Sequence, residues 1–295
     1  MKLKDTLASM TDNIISPLNY MGGKKKLLKK ISPYFPSNVD TFYDVFCGGA
    51  TVGINAECRK VHFNDIIYQL IQLYHEFKNT DINDILSFVD NRIKEYDLSM
   101  TNADGYLSLR KYYNEHRNPL DLFVLTAYSF NNQIRFNSKG EFNMPFGKNR
   151  SWFNPVMRKN LIGFVAALQK KEISFSSLDF ESFDFSQIKE NDFVYMDPPY
   201  LISVATYNMI WDENKERSLL KELSKLNERG IKFALSNVLE NKGETNTILK
   251  EWAETNNFNI IHLDYSYANS SYHRKERTTS DEVLITNYKN EDLIF

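Results

Sequence analysis

The chain has 295 residues, 42% of them hydrophobic, and a formal net charge of -2. That is enough apolar material for a full core, yet no apolar run reaches the ~18 to 20 residues of a membrane helix and no cleavable leader is legible, so a soluble, cytoplasmic protein is expected. Two cysteines, Cys47 and Cys58, are too few for a disulfide framework and share no zinc-ligand spacing with the five histidines, so no metal is expected either.

In chain order, Tyr20-Met21-Gly22-Gly23-Lys24 opens a basic helix. The segment from Thr41 to Phe46 reads as a strand that runs through Cys47-Gly48-Gly49 into a helix, the layout of the first βα unit of a nucleotide-binding sheet. The G-x-G-x-x-G spacing is missing and no G-x-x-x-x-G-K-[ST] follows, which argues against a pyrophosphate or triphosphate ligand. A second short strand, Lys60 to Asp65, ends in an acid where a carboxylate could take both hydroxyls of a ribose. Each of these segments, taken alone, is equally compatible with ordinary turn and helix-start chemistry.

Apolar residues then recur at helical spacing over Leu86 to Tyr96, Tyr106 to Glu115 and Leu120 to Phe130, so a helical insertion interrupts the α/β alternation. Phe136 to Met144 reads as a β-hairpin turning on Ser138-Lys139-Gly140, narrow enough to enter a nucleic-acid groove. Residues 131–160 carry six basic side chains, Arg135, Lys139, Lys148, Arg150, Arg158 and Lys159, against the single acid Glu141. A second basic run, His273-Arg274-Lys275-Glu276-Arg277, lies in a Ser/Thr-rich stretch. Such runs are usually solvated faces, but two of them flanking one chemical motif favour phosphate contact.

Asn154 to Lys170 reads as a helix. Strands follow at Ile173 to Ser176, Phe193 to Met196, Ile231 to Ser236, Ile260 to Asp264 and Glu282 to Asn287, with helices at Lys215 to Arg229 and Glu244 to Asn256. The expected domains are a catalytic one of residues 1–80 and 166–295 and a target-recognition subdomain of residues 81–165.

The strand Phe193 to Met196 delivers Asp197-Pro198-Pro199-Tyr200. The exocyclic amine of a flat base is a poor nucleophile because its lone pair is delocalised into the ring. The Asp197 carboxylate and the Pro198 carbonyl can accept the two amine hydrogens and favour a tetrahedral nitrogen, and Tyr200 can stack on the ring. The alternative is a stiff strand-to-loop turn with an aspartate cap. Neither cysteine follows a proline, so the Pro-Cys nucleophile of cytosine-ring methylases is missing. Cys47 reads as a small packed residue rather than a reactive thiol.

Together, Tyr20 to Lys24, Asp44-Val45-Phe46-Cys47-Gly48-Gly49, Asn64-Asp65 and Asp197 to Tyr200, in that order, resemble the Dam-like, alpha-type (D12 class) DNA adenine-N6 methyltransferases. Asn132 to Lys148 and Gly230 to Val238 resemble the T-even phage Dam branch most. The resemblance implies a Rossmann-like α/β sheet with an antiparallel C-terminal edge and an inserted helical and hairpin recognition subdomain. It also implies methyl transfer from S-adenosyl-L-methionine to a flipped adenine in double-stranded DNA, by a monomer or a weak dimer on DNA.

Carried over residue by residue, cofactor contacts fall on Tyr20, Lys24, Phe46, Gly48, Gly49, Asp65, Asp179, Phe180 and Asp197, and catalysis on Asp197, Pro198 and Tyr200. DNA contacts fall on Asn132, Gln133, Arg135, Asn137, Lys139, Pro145 and Lys148. The resemblance implies GATC as the site, with Arg135 reading a guanine. Gln133 departs from the apolar residue of the relatives and keeps a different short site open. A guanine methylase of ribosomal RNA would have no reason to carry the insertion and hairpin. A non-catalytic DNA-binding relative would not need Lys24, Asp65, Asp197, Pro198 and Tyr200 intact. A cytosine-amine methylase would more often carry Ser at 197, and a glutamine-methylating enzyme Asn.

Overall fold

The computed structural model describes residues 13–202, 211–263 and 280–289. Along these residues the chain forms α1 (Leu28–Ile31), β1 (Val39–Asp44), α2 (Thr51–Asn55), β2 (Cys58–Asn64), α3 (Tyr68–Asn79), α4 (Ile82–Glu95), α5 (Ala103–His116), α6 (Pro119–Tyr128) and α7 (Pro155–Lys170). It continues through β3 (Glu172–Ser176), β4 (Phe193–Met196), α8 (Glu213–Glu228), β5 (Lys232–Asn241), β6 (Glu244–Thr245), α9 (Thr247–Thr255), β7 (Asn259–His262) and β8 (Ser280–Thr286). The basic run His273 to Arg277 and the Asp264 end of one expected strand lie outside the described residues.

The chain divides into two compact units. One comprises residues 26–47, 56–71 and 172–295 and contains the sheet. Its strands run in the order β3-β2-β1-β4-β5-β8-β7, with β6 paired to β5. The first five pair in parallel, whereas β8 is antiparallel to both β5 and β7. This antiparallel edge agrees with the C-terminal edge that the resemblance implied. β4 is central and every residue of it is buried, which is why it reads as an unbroken apolar run rather than an alternating one. The core of this unit gathers Val194, Met196, Phe233, Leu235 and Ile285 with the α8 leucines Leu219, Leu220, Leu223 and Leu226.

The other unit comprises residues 1–25, 48–55 and 72–171 and is helical. Side-chain caps define the starts of α4 to α7. Asp81, Asn102, Asn118 and Asn154 each accept a backbone N–H of the first turn, and Pro119 and Pro155 sit where a helix lacks N–H partners anyway. α6 is buried from Leu120 to Tyr128. Helix α3 was not among the expected elements. Its Tyr-Gln-Leu-Ile-Gln-Leu-Tyr pattern follows an acid-ended strand without a Gly or Pro to mark the start.

The expected hairpin is narrower than a strand pair. Phe136 and Phe142 form an isolated bridge, flanked by Asn137 N–H to Glu141 O (2.9 Å) and Asn143 N–H to Arg135 O (3.0 Å). The ladder stops there because Pro145, the next residue that faces the first arm, has no N–H to donate and its carbonyl accepts Phe130 N–H at 2.7 Å. The segment expected to open a basic helix at Tyr20 is instead a turn, with Gly23 N–H bonded to Tyr20 O at 3.1 Å, followed by a short 3₁₀ turn over Lys24–Lys26.

Candidate active site and recognition segment

In the sheet-bearing unit the strand order reverses between β1 and β4, and crevices for ligands in open α/β sheets form beyond the carboxyl ends of strands at such a point. Asp44 pairs with Tyr195, so Phe46 and Asp197 each stand two residues beyond the same rung. Pro198 is buried and Asp197 half-buried. The Tyr200 hydroxyl donates to Asp197 Oδ1 at 3.0 Å. Withdrawal from water, and then the carboxylates of Asp197 and Glu282, push that hydroxyl well above its ordinary pKa, so it remains a neutral donor.

Asn64, the residue that closes β2, is a buried hub. Its Nδ2 donates to the carbonyls of Val45 and Leu178, both at 2.9 Å, while its Oδ1 accepts Ser176 Oγ (2.6 Å) and Leu178 N–H (3.0 Å). One amide thereby fixes the ends of three adjacent strands. Next to it, buried Asp65 accepts the Ile67 amide through Oδ1 at 2.9 Å, and its backbone carbonyl accepts Ser177 Oγ at 3.1 Å. Cys47 is buried, and burial, reinforced by Asp65 and Asp44, raises its thiol pKa well above the usual value, which makes it a packed thiol.

Phe46, Phe180 and Trp211 form an aromatic trio with centroid separations of 5.7, 5.9 and 5.4 Å. Phe180 is thus packed among rings. Trp211 was not anticipated, since it stands in a loop without periodicity. Its indole N–H donates to buried Glu216 at 2.7 Å. Asp179 caps a 3₁₀ turn through Glu181 N–H and pairs with Lys215 Nζ at 2.8 Å. Partial burial opposes its ionisation, but the Lys215 bond and the Glu181 amide prevail and hold its pKa below the usual value.

In the helical unit, Gly48 has φ +44°, and a Cβ there would stand 2.7 Å from Cε1 of Tyr20, so the Tyr20 ring lies directly on the glycine backbone. Tyr74 Oη donates to Gly48 O at 2.6 Å. Lys24 is buried and donates to Gly22 O at 3.2 Å.

The candidate recognition segment lies in the same unit. Arg135, Lys139, Pro145 and Lys148 are exposed, and Asn132, Gln133 and Asn137 half-exposed. Asn132 donates its side-chain amide to Ala127 O at 2.7 Å, which ties it to the end of α6. The Asn137 side chain is engaged in the turn: its Oδ1 accepts Lys139 and Glu141 N–H at 3.0 and 2.9 Å, and its Nδ2 donates to Glu141 Oε2 at 2.8 Å. Phe130, not singled out from the sequence, is 40% exposed with the Arg150 guanidinium 4.9 Å over its ring. No helix among the described residues is long and apolar enough to cross a membrane, and these residues hold no group of three or more His, Cys, Asp or Glu side chains suited to a metal ion.

The profile of the D12 class N6 adenine-specific DNA methyltransferases matches residues 20–269. Modification methylase StsI of Streptococcus sanguinis is 47% identical over 96% of this chain and 44% of its own length. Type II methyltransferase M.FokI of Planomicrobium okeanokoites is 47% identical over 94% of this chain and 43% of its own. The chain therefore spans less than half the length of these two relatives. DNA adenine methylase of Salmonella typhi is 25% identical over 90% of the chain and 93% of its own length. The expected placement closest to the T-even phage Dam branch gives way to greater likeness to modification methylases. The chain belongs to the D12 class N6 adenine-specific DNA methyltransferase family.

Proposed function

We propose that this chain transfers a methyl group from S-adenosylmethionine to the exocyclic N6 amine of an adenine flipped out of double-stranded DNA, as a modification-type enzyme acting at a short site. The observation that carries this reading is Asp197-Pro198-Pro199-Tyr200 emerging from the central strand at the switch point, with Tyr200 held on Asp197, in a chain of the D12 family.

Asp197 and the Pro198 carbonyl accept the two amine hydrogens, which draws the lone pair back onto nitrogen. An ionised carboxylate has several lone-pair positions, so the Tyr200 hydroxyl and an amine hydrogen fit on Asp197 together. Tyr200 stacks on the base and fixes its angle to the donor. The sulfonium cofactor supplies the electrophilic methyl. The residues fit it chemically: buried Asp65 at the end of β2 suits ribose hydroxyls, and the Phe46–Phe180–Trp211 trio suits a flat purine. Tyr20, Lys24, Gly48, Gly49, Asp179 and Asp197 take cofactor roles by the family resemblance, and no metal enters the reading.

Arg135 to Lys148 reads the DNA, with Arg135 on a guanine edge and Lys139 and Lys148 on phosphate. GATC is the sequence that likeness to Dam suggests. Two observations favour testing beyond it: the Gln133 amide in place of an apolar residue, and 47% identity to modification methylases against 25% to the Salmonella typhi DNA adenine methylase. Single-molecule sequencing of plasmid DNA from cells expressing the chain reports the modified atom and its context together. N6-methyladenine in one defined context is expected; modification of cytosine, or none, would overturn the reading.

A further inference from the structure

Helix α5 presents a row of polar side chains to the second arm of the recognition segment. Tyr106, Arg110, Asn114 and Arg117 are spaced i, i+4, i+8 and i+11, which puts them on one face of the helix and its cap. Between them they bond main chain at Gly140, Phe142 and Met144, every second residue of the arm. Arg117 Nη1 donates to Gly140 O at 2.5 Å, and Asn114 Nδ2 donates to Phe142 O at 3.1 Å while Phe142 N–H donates to Asn114 Oδ1 at 2.8 Å. Arg110 Nη1 and Tyr106 Oη both donate to Met144 O, at 3.2 and 2.8 Å.

The fit has a geometric basis. One turn of α-helix rises about 5.4 Å and two residues of extended chain about 6.6 Å, so the two repeats stay nearly in step over a few contacts. The helix side chains thereby do the work of a neighbouring strand, and the Asn114 amide mimics a peptide group with its donor and acceptor both used. Arg117 adds a second sign of selection for this role. It closes α5 with φ +60°, a left-handed cap position where glycine is the usual residue, yet a glycine would have no side chain to reach Gly140.

Alternation carries the consequence outward. Gly140, Phe142 and Met144 are held by α5, while Glu141 and Asn143 between them hold candidate readers of the other arm. Glu141 accepts from Asn137 Nδ2 at 2.8 Å, and Asn143 accepts from Arg135 Nε and Nη2 at 2.8 and 2.9 Å.

We propose that Asn114, with Arg117, is a positioning residue for base discrimination: by fixing the main chain at Phe142 and Gly140 it sets the register in which Asn143 aims the Arg135 guanidinium at DNA. This rests on the reading of Arg135 to Lys148 as the sequence-reading segment. The test compares Asn114→Ala, Arg117→Ala and Arg135→Ala on duplexes carrying the site found for the parent enzyme and all its single-base variants, with cofactor affinity and thermal unfolding measured alongside. Asn114→Ala is expected to keep cofactor affinity and to lower discrimination about tenfold at the base pair that Arg135→Ala relaxes, with little change at the others. Arg117→Ala is expected to do the same more weakly, and it carries the test if Asn114→Ala does not fold. An unchanged discrimination ratio in the Asn114 and Arg117 variants, while Arg135→Ala relaxes it, would overturn the positioning role alone. Unaltered base preference in Arg135→Ala would overturn the sequence-reading segment and this inference with it.

Discussion

Arg135 and Asn143 are joined three times across the recognition turn: the guanidinium donates to Asn143 Oδ1 and O at 2.8 and 2.9 Å, and Asn143 N–H donates back to Arg135 O at 3.0 Å. The bonds use Nε and one side of Nη2, which leaves the outer edge of the fork for a bidentate partner. If Arg135 reads DNA as proposed, it is thus aimed before DNA arrives, and less rotamer entropy is lost on binding.

Arg135→Ala is therefore expected to cost about 1–3 kcal/mol of discrimination at one base pair. Lys139, exposed at the turn tip, is expected to act differently: Lys139→Ala should weaken all sites alike and reduce the salt dependence of binding. Asn143→Ala should fall between them, keeping the charge but losing part of the selectivity. Methylation rates on the site and its single-base variants at two salt concentrations separate the three. Equal effects of Arg135→Ala on every variant would show that the residue meets only phosphate.

Much of this was legible in the sequence because the physics is local. Asp197 to Tyr200 ends an apolar run of just the length of β4, and Asn154-Pro155 states its helix start outright. What was not legible depends on partners distant in sequence. Nothing near Asn137 tells that its amide closes the turn on Glu141 rather than standing ready for a base, and nothing near Phe142 tells that Asn114, 28 residues earlier, substitutes for a strand. Trp211 escaped notice for the same reason, since its meaning lies in Phe46 and Phe180.

Asp197→Ala is expected to abolish methyl transfer, by at least about a hundredfold, while leaving a folded protein that binds DNA, because in the proposed reading the carboxylate acts on the amine and not on phosphate. Single-turnover kinetics with saturating DNA is the measurement. Activity within about tenfold of the parent, or about 1.4 kcal/mol of barrier, would remove Asp197 from the catalytic set.

Asp65→Ala is expected to weaken S-adenosylmethionine binding about tenfold or more without altering sequence preference, as a lost ribose contact should. Because Asp65 Oδ1 also accepts the Ile67 amide, Asp65→Asn serves as the control that keeps an acceptor for that turn. Calorimetry with cofactor alone decides the matter, and unchanged affinity in both variants would displace Asp65 from the cofactor site.

Glu216 is fully buried and accepts Trp211 Nε1 (2.7 Å), Asn246 Nδ2 (2.9 Å) and Asn237 Nδ2 (3.3 Å). Burial raises its pKa, and the three donors offset part of that rise. Glu216→Ala strands those donors and is expected to destabilise the protein by about 2–4 kcal/mol and to shift Trp211 fluorescence. Denaturant unfolding followed at tryptophan and at far-ultraviolet wavelengths tests both; a loss under about 0.5 kcal/mol would show that water replaces the carboxylate.

His62 gives the fold a pH dependence whose sign can be stated. Its Nδ1 lies 2.7 Å from Ser174 Oγ and its Nε2 2.9 Å from Ser176 Oγ, and Ser176 Oγ donates onward to Asn64 Oδ1. With the Ser176 proton so placed, Nε2–H donates to Ser176 and Nδ1 accepts from Ser174, the pattern of a neutral ring. Burial, helped by the charge of Lys60, lowers its pKa from 6.5 to about 4. Between those values the unfolded chain binds more protons than the folded one, so stability rises with pH there. The contribution is full above about pH 6.5 and is lost as pH falls toward 4, by at most about 3 kcal/mol. His62→Gln, which keeps hydrogen-bonding groups but cannot titrate, is expected to flatten this part of the profile. Urea unfolding of both proteins at pH 7 and 4.5 measures it, and equal losses in the two would show that the acid sensitivity of the fold arises elsewhere.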